Sequence, residues 1–269
     1  MKEKIWQQIV NVRSKAPLVH NITNYVVMNN TANALLACGA SPVMAHAHPE
    51  VQDMVRIAGA LVVNIGTLDE YWVNSMDLAI QQANQMGKPW VLDPVGAGAT
   101  GYRNDVLKTF VSARPTVIRG NASEIMSVSE EQAGSTKGVD STRQSDDALS
   151  AARLLAGKTG GVVCVSGATD LITDGSRLLR LSNGDPLMAR VTGLGCSASA
   201  IIGAFLAAQP DDPYLACVAA MALLGIAGER AARKASGPGT LQVYLLDELY
   251  SLREDDFVME LKIEENAEG

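Results

Sequence analysis

Arg190-Val191-Thr192-Gly193-Leu194-Gly195-Cys196-Ser197-Ala198-Ser199-Ala200 places glycines directly ahead of an alanine-rich helical pattern. Glycine allows a tight turn and lets backbone N–H groups approach an anion with no Cβ in the way. A helix start adds unpaired N–H donors and about half a positive charge. The combination suits an anion hole for a phosphoryl group, although an ordinary turn before a buried helix has the same spacing. The stretch also fits G-x-G-x-x-A, but the dinucleotide fingerprint needs a β-α-β unit. Here Gln209-Pro210-Asp211-Asp212-Pro213 is a loop followed by another helix. No Gly-Lys-Ser/Thr follows the glycines, so it is not a Walker A loop.

Trp90-Val91-Leu92-Asp93-Pro94-Val95-Gly96-Ala97-Gly98 sets a carboxylate at the carboxyl end of an apolar run, the ligand side of an open α/β sheet. Asp93 could equally cap the next element. In Val117-Ile118-Arg119-Gly120-Asn121-Ala122-Ser123-Glu124, Arg119 ends a strand, while Asn121 and Glu124 have capping-box spacing. At i, i+3 those two also share a helix face and could turn toward Asp93. Two carboxylates and an amide converging there would suit Mg²⁺ held largely through water. Cys164-Val165-Ser166-Gly167 ends another apolar run with a hydroxyl, and Leu18-Val19-His20-Asn21-Ile22-Thr23-Asn24-Tyr25 reads as a satisfied polar turn leading into a helix. His46 and His48 lack a third ligand for a metal site.

The elements that must hold these residues alternate. Ala60-Ile65, Pro89-Asp93, Thr116-Arg119 and Gly161-Ser166 are short apolar runs of the kind found in strands buried on both faces, with Pro42-Ala45 a weaker example. Helical patterns cover Asn24-Cys38, Pro49-Ala58, Glu70-Met86 and Ser145-Lys158. This rhythm predicts an α/β fold with a parallel sheet and helices on both faces. Leu171-Leu181 resembles a hairpin turning at Asp174-Gly175. Helices are expected over Cys196-Ala208, Tyr214-Lys234 and Leu241-Leu252, with a polar surface loop at Gly134-Gln144 and an unassigned acidic tail from Arg253. One domain across residues 1–269 is the simplest account.

The net charge of −7 argues against nucleic acid as a partner, which needs clustered Lys and Arg. The four cysteines form no C-x-x-C pair, and three of them sit in apolar or alanine-rich runs. No signal-peptide pattern or apolar run of membrane-spanning length is seen, so a cytoplasmic location is expected.

Together these segments resemble the hydroxyethylthiazole kinases of thiamin salvage, within the ribokinase-like superfamily. The matching pieces are Pro17-Asn24, Thr31-Asn33, Gly39-Met44, Asn64-Leu68, Leu92-Val95, Ile118-Ile125, Gly184-Met188 and Gly237-Gly239, in order along the chain. The resemblance implies a ribokinase-like α/β fold with a central mainly parallel sheet. It also implies ATP- and Mg²⁺-dependent phosphorylation of 4-methyl-5-(2-hydroxyethyl)thiazole, and a homotrimer with active sites between subunits. By the same likeness Arg119 and Ser166 contact ATP, with Gly195 and Asn121 beside them. Asp93 and Glu124 serve the metal and phosphates, and Met44, Gly193 and Asn24 line the thiazole site. Cys196 stands where the wider superfamily places an aspartate base. As an ordinary thiol, of pKa about 8.5, it would be a few per cent thiolate near neutral pH. The family pattern is commonly Gly-Thr-Gly-Cys, and this chain has Leu194 in place of that hydroxyl. Rival readings are a hydroxymethylpyrimidine kinase, a nucleotide-dependent NAD(P)H-hydrate dehydratase and a nucleotide-binding regulator without catalysis.

Overall fold

The computed structural model describes residues 1–133 and 144–266. Its frame is a nine-stranded sheet in the order β2-β1-β3-β4-β5-β6-β7-β8-β9. The strands are β1 (Leu18–Ile22), β2 (Ser41–Val43), β3 (Ala60–Asn64), β4 (Trp90–Asp93), β5 (Val117–Asn121), β6 (Val162–Ser166), β7 (Asp170–Thr173), β8 (Leu178–Leu181) and β9 (Ile263–Asn266). The pairings from β2 to β6 are parallel, and those from β6 to β9 are antiparallel.

Helices cover both faces, and the central strands are accordingly buried along their length. On one face Val19, Val62, Val91, Val117 and Cys164 pack against α1 (Lys2–Lys15), α2 (Met28–Cys38), α8 (Leu194–Ala208), α9 (Pro213–Lys234), α10 (Pro238–Ser251) and α11 (Glu254–Glu260). On the other, Ile22, Val63, Leu92, Ile118 and Val163 pack against α3 (Val51–Ile57), α4 (Glu70–Gln85), α5 (Gly101–Ser112), α6 (Ala122–Ala133) and α7 (Gln144–Thr159). By length and composition α9 could cross a bilayer, but 78% of its apolar window is buried inside the protein, as in a core helix.

The apolar runs form strands within a residue or two of their expected bounds, and the hairpin turns at Gly175 with φ 98°. The segment expected to be a polar turn is instead the strand β1. It lies between β2 and β3, so its backbone is paired on both sides. Its polar side chains find local partners: His20 Nε2 bonds Ala45 O at 2.7 Å, and Asn21 Nδ2 donates to Val19 O at 3.0 Å. Accordingly α2 begins at Met28, not Asn24. Helix α5 has a weak apolar stripe and was not anticipated; the Thr100 hydroxyl, accepting from Arg103 N at 3.3 Å, starts it. The acidic tail supplies α11 and the edge strand β9. In the expected loop Gly134-Gln144, residues 134–143 lie outside the described residues and Gln144 opens α7.

Candidate active site

Strand register puts the chemistry on one face. Val62 pairs with Val91, Val91 with Val117, and Val117 with Val162, so alternation aligns Asn64, Asp93, Arg119 and Ser166 on the same side. They stand at the carboxyl ends of parallel strands, beneath the start of α8. Helix α8 can lie close because Gly203 has no Cβ; one there would come within 2.5 Å of Val62 Cγ2.

A continuous hydrogen-bond chain crosses this face. Ser199 Oγ and Asn64 Nδ2 donate to Asp93 Oδ2 at 2.8 and 2.6 Å. Asn24 Nδ2 donates to Asn64 Oδ1 at 2.9 Å and reaches Cys196 Sγ at 3.4 Å. Gly66 N also donates to Asn64 Oδ1, at 2.9 Å, so this amide ties the loop after β3 into the chain. Burial pushes the Asp93 carboxyl up to about 6, against the opposing pull of Arg119, Ser199 and Asn64. Burial also pushes the Cys196 thiol up to about 11, helped by the nearby Asp93 charge and opposed by the Asn64 and Asn24 amides. Burial and the nearby charge thus favour the neutral Cys196 thiol over the few-per-cent thiolate expected of an ordinary cysteine.

At the start of α8, Gly193 has φ 84°, and a Cβ there would meet Val27 Cγ1 at 2.7 Å. The first bond of the helix runs from Ser197 N to Gly193 O at 2.8 Å, and the N-cap glycine offers no side chain to the preceding donors. The N–H groups of Leu194, Gly195 and Cys196 therefore form the open end of the helix. Arg119 lies against it: a Cβ on Gly195 would come within 2.6 Å of Arg119 Nη1. Arg119 Nη2 donates to Ser166 Oγ at 2.6 Å, and its buried Nε has no partner. Arg119, Ser166, Leu194 and Gly195 line a cavity of about 550 Å³ together with Met188, Ala198, Met221 and Leu224. Leu194 lines this cavity and packs against the apolar core, which accounts for an apolar residue at that position.

Asn121 and Glu124 make the reciprocal capping box: Asn121 N donates to Glu124 Oε2 and Glu124 N to Asn121 Oδ1, both at 2.9 Å. The other Glu124 oxygen accepts from Gly96 N at 3.1 Å, which turns the carboxylate toward the loop after Asp93. The pair thus caps α6 and faces the site at once. The residues also suit a hard cation. Asp93 Oδ1 is a buried carboxylate oxygen without a partner, and Glu124, in the first turn of α6, reaches the loop that follows Asp93. No group of three or more His, Cys, Asp or Glu that could hold a metal occurs among the described residues, so a cation here would take most of its ligands from water and phosphate.

This arrangement combines the open N–H groups of a helix, an arginine and a cavity with several apolar side chains. A family model described as the Hydroxyethylthiazole kinase family matches residues 9–255. The chain belongs to the hydroxyethylthiazole kinase family. Hydroxyethylthiazole kinases of Leptospira biflexa serovar Patoc (strain Patoc 1 / Ames) and Syntrophus aciditrophicus (strain SB) are 56% and 54% identical to it. The alignments cover 93% of both chains in the first case and 97% of both in the second. A solved hydroxyethylthiazole kinase protein from Pyrococcus horikoshii OT3 matches at TM-score 0.91 and 44% identity, over 99% of this chain and 100% of that one. A ribokinase-like superfamily protein from Enterococcus faecalis V583 shares the fold at TM-score 0.65 and 14% identity, over 93% of this chain and 94% of that one.

As a hydroxyethylthiazole kinase family member the chain is a phosphotransferase with ATP as co-substrate. The structure brings Asn24, Asp93, Arg119, Ser166, Gly193, Gly195 and Cys196 to one end of the sheet, with Glu124 beside them. Met44 follows β2 and is half-buried at the outer end of the same edge, and exposed Asn121 acts through its cap. Sequence reasoning gave no role to Asn64 or Ser199, which hold Asp93. Alternation could have shown Asn64, since it closes the run Ala60-Leu61-Val62-Val63 just as Asp93 closes its own.

Proposed function

We propose that this chain transfers the γ-phosphoryl group of ATP to the hydroxyl of 4-methyl-5-(2-hydroxyethyl)thiazole, and that it is one kinase domain throughout. The observation that carries this reading is the hydrogen-bond chain from Cys196 through Asn24 and Asn64 to Asp93, set beside the cavity that Arg119 lines. The nucleoside occupies the cavity, and its phosphates lie between Arg119, Ser166 and the open N–H groups of α8. Arg119 and the helix end neutralise charge on the transferred group, which is the main catalytic task in phosphoryl transfer. The thiazole lies toward Met44, Gly193 and Asn24, with its hydroxyl at Cys196. There the Cys196 sulfur, in its small thiolate fraction, receives the hydroxyl's hydrogen bond and takes up its proton to become the thiol as the phosphoryl group moves. Asn24, donating to that sulfur at 3.4 Å, fixes its position.

Asp93 and Glu124 would hold Mg²⁺ through water. The ion supplies charge neutralisation along the phosphates. Tyr25 and Val26, 57% and 64% exposed beside Asn24, form an apolar rim at the substrate end. That rim supports a homotrimer whose subunits meet at the site. Metabolic phosphorylation of this kind belongs in the cytoplasm.

A coupled ADP-release assay tests the reading with three substrates: the thiazole alcohol, hydroxymethylpyrimidine and hydrated NADH. Turnover with the thiazole alcohol alone is expected. Turnover confined to either of the others would overturn it, and sedimentation showing a species other than three times 28.4 kDa would overturn the trimer.

A further inference from the structure

Asp170, the first residue of β7, has no task in the phosphoryl transfer described above. It is 7% exposed and lines the cavity beside Arg119, Ser166 and Gly167. Its Oδ1 accepts from Gly167 N at 2.9 Å, closing the turn between β6 and β7. A turn of this kind needs one acceptor, which Asn or Ser supplies as well as Asp. The second carboxylate oxygen is left for something else. Arg119 is the single cation among the described residues lining the cavity, and its Nη2 is engaged by Ser166. Burial pushes the Asp170 carboxyl up to about 6, offset in part by Gly167 N–H and Arg119. The charge is retained at neutral pH in a setting that disfavours it.

The cavity has an order. Arg119, Ser166 and the start of α8 form its phosphate end, and Met188, Met221 and Leu224 offer apolar walls to a base. A carboxylate repels phosphate oxygens and has little to gain from an apolar ring face. The part of a nucleotide between those two is the ribose, which presents hydroxyl donors. Carboxylates recognise ribose hydroxyls in this way in dinucleotide-binding folds. Asp170 lies next to the phosphate end, where the ribose must pass.

We infer that Asp170 is the ribose-recognising residue of this kinase, its free oxygen accepting hydrogen bonds from the 2′- and 3′-hydroxyls of the phosphoryl donor. The inference rests on the kinase reading of the cavity. It assigns a specificity to Asp170 that a turn-capping role does not require.

The experiment compares kcat/KM for ATP, 2′-deoxy-ATP, 3′-deoxy-ATP and ITP in the wild type and in Asp170→Asn, with the thiazole alcohol as acceptor. Asparagine keeps an oxygen for Gly167 N–H, so the turn is retained, and Asp170→Ser serves as a second variant that also keeps an acceptor. The wild type should prefer ATP over at least one deoxy analogue by about tenfold or more, because a buried acceptor left unpaired is penalised. In both variants that preference should fall below about threefold, with KM for the thiazole alcohol and the ATP-to-ITP ratio unchanged. An unchanged ribose preference, or a shift in the ATP-to-ITP ratio instead, overturns the inference. A wild type inactive toward the thiazole alcohol with every nucleotide overturns the kinase reading. Calorimetric binding of ADP against 2′-deoxy-ADP and 3′-deoxy-ADP to the same proteins would still decide the role of Asp170.

Discussion

Cys196 is the base in the proposed reaction, and burial and the neighbouring Asp93 push its thiol up to about 11. So small a thiolate fraction suits a reaction in which the attacking hydroxyl needs little help from a base, as in a loose phosphoryl-transfer transition state. Replacing it with Ala should lower kcat by about 10- to 100-fold and leave measurable turnover, a loss at the low end for general-base catalysis. Gly195→Val should cost more, since even a Cβ there comes within 2.6 Å of Arg119 Nη1. Steady-state assays on both variants check the ranking, and a Gly195→Val enzyme with full activity would remove the anion hole. Asp93 offers a test by pH. Its carboxyl is raised to about 6 in the fold, against about 4 when unfolded. Below about pH 4 it is protonated in both states and contributes no penalty. As pH rises through 6 the folded state must hold the charge, at a cost on the order of 2–3 kcal/mol. In Asp93→Asn the side-chain oxygen can keep both bonds, so Tm should exceed that of the wild type more at pH 7.5 than at pH 4.5, while activity falls steeply. Melting curves at the two pH values decide it.

Two elements set the geometry: α8 above and the strand ends below. Their spacing depends on Gly203, whose Cβ would lie 2.5 Å from Val62 Cγ2 and 3.1 Å from Val19 Cγ1. Gly203→Leu should therefore lift α8 from the sheet and destabilise the protein by about 1–3 kcal/mol through overpacking. Because Cys196 and Ser199 ride on the same helix, kcat should fall as well, even at temperatures where the variant is folded. Denaturant melts combined with kinetics at low temperature check this. Helix α5 shows a subtler dependence. Arg103 donates to Val95 O at 2.8 Å, to Gly66 O at 2.9 Å and also to Ile65 O, so one guanidinium braces the loops that follow Asn64 and Asp93. Sequence gave no sign of it, because backbone carbonyls leave no trace in residue type.

At the scale of the whole molecule, the acidic tail is part of the cavity's support. Asn183 in the cavity wall donates to Glu260 O at 2.9 Å and accepts from Lys262 N at 2.8 Å, while Phe257 packs on Trp6 with ring centroids 5.4 Å apart. Removing residues 253–269 should lower Tm by several degrees and raise KM for ATP more than KM for the thiazole alcohol; equal effects on the two KM values would disprove the coupling. The sequence by itself determined the alternation of buried strands and helices, the glycine turn ahead of α8 and the family. Those features are written in local composition and spacing, so each can be seen in a short window. Only the tertiary structure decided that the polar run Leu18–Ile22 is a central strand, that Asn24 and Asn64 join Cys196 to Asp93, and that burial favours the neutral Cys196 thiol. These follow from pairing on both sides, from register between distant strands and from removal of water. Each depends on residues far apart in the chain coming together, which no local pattern records.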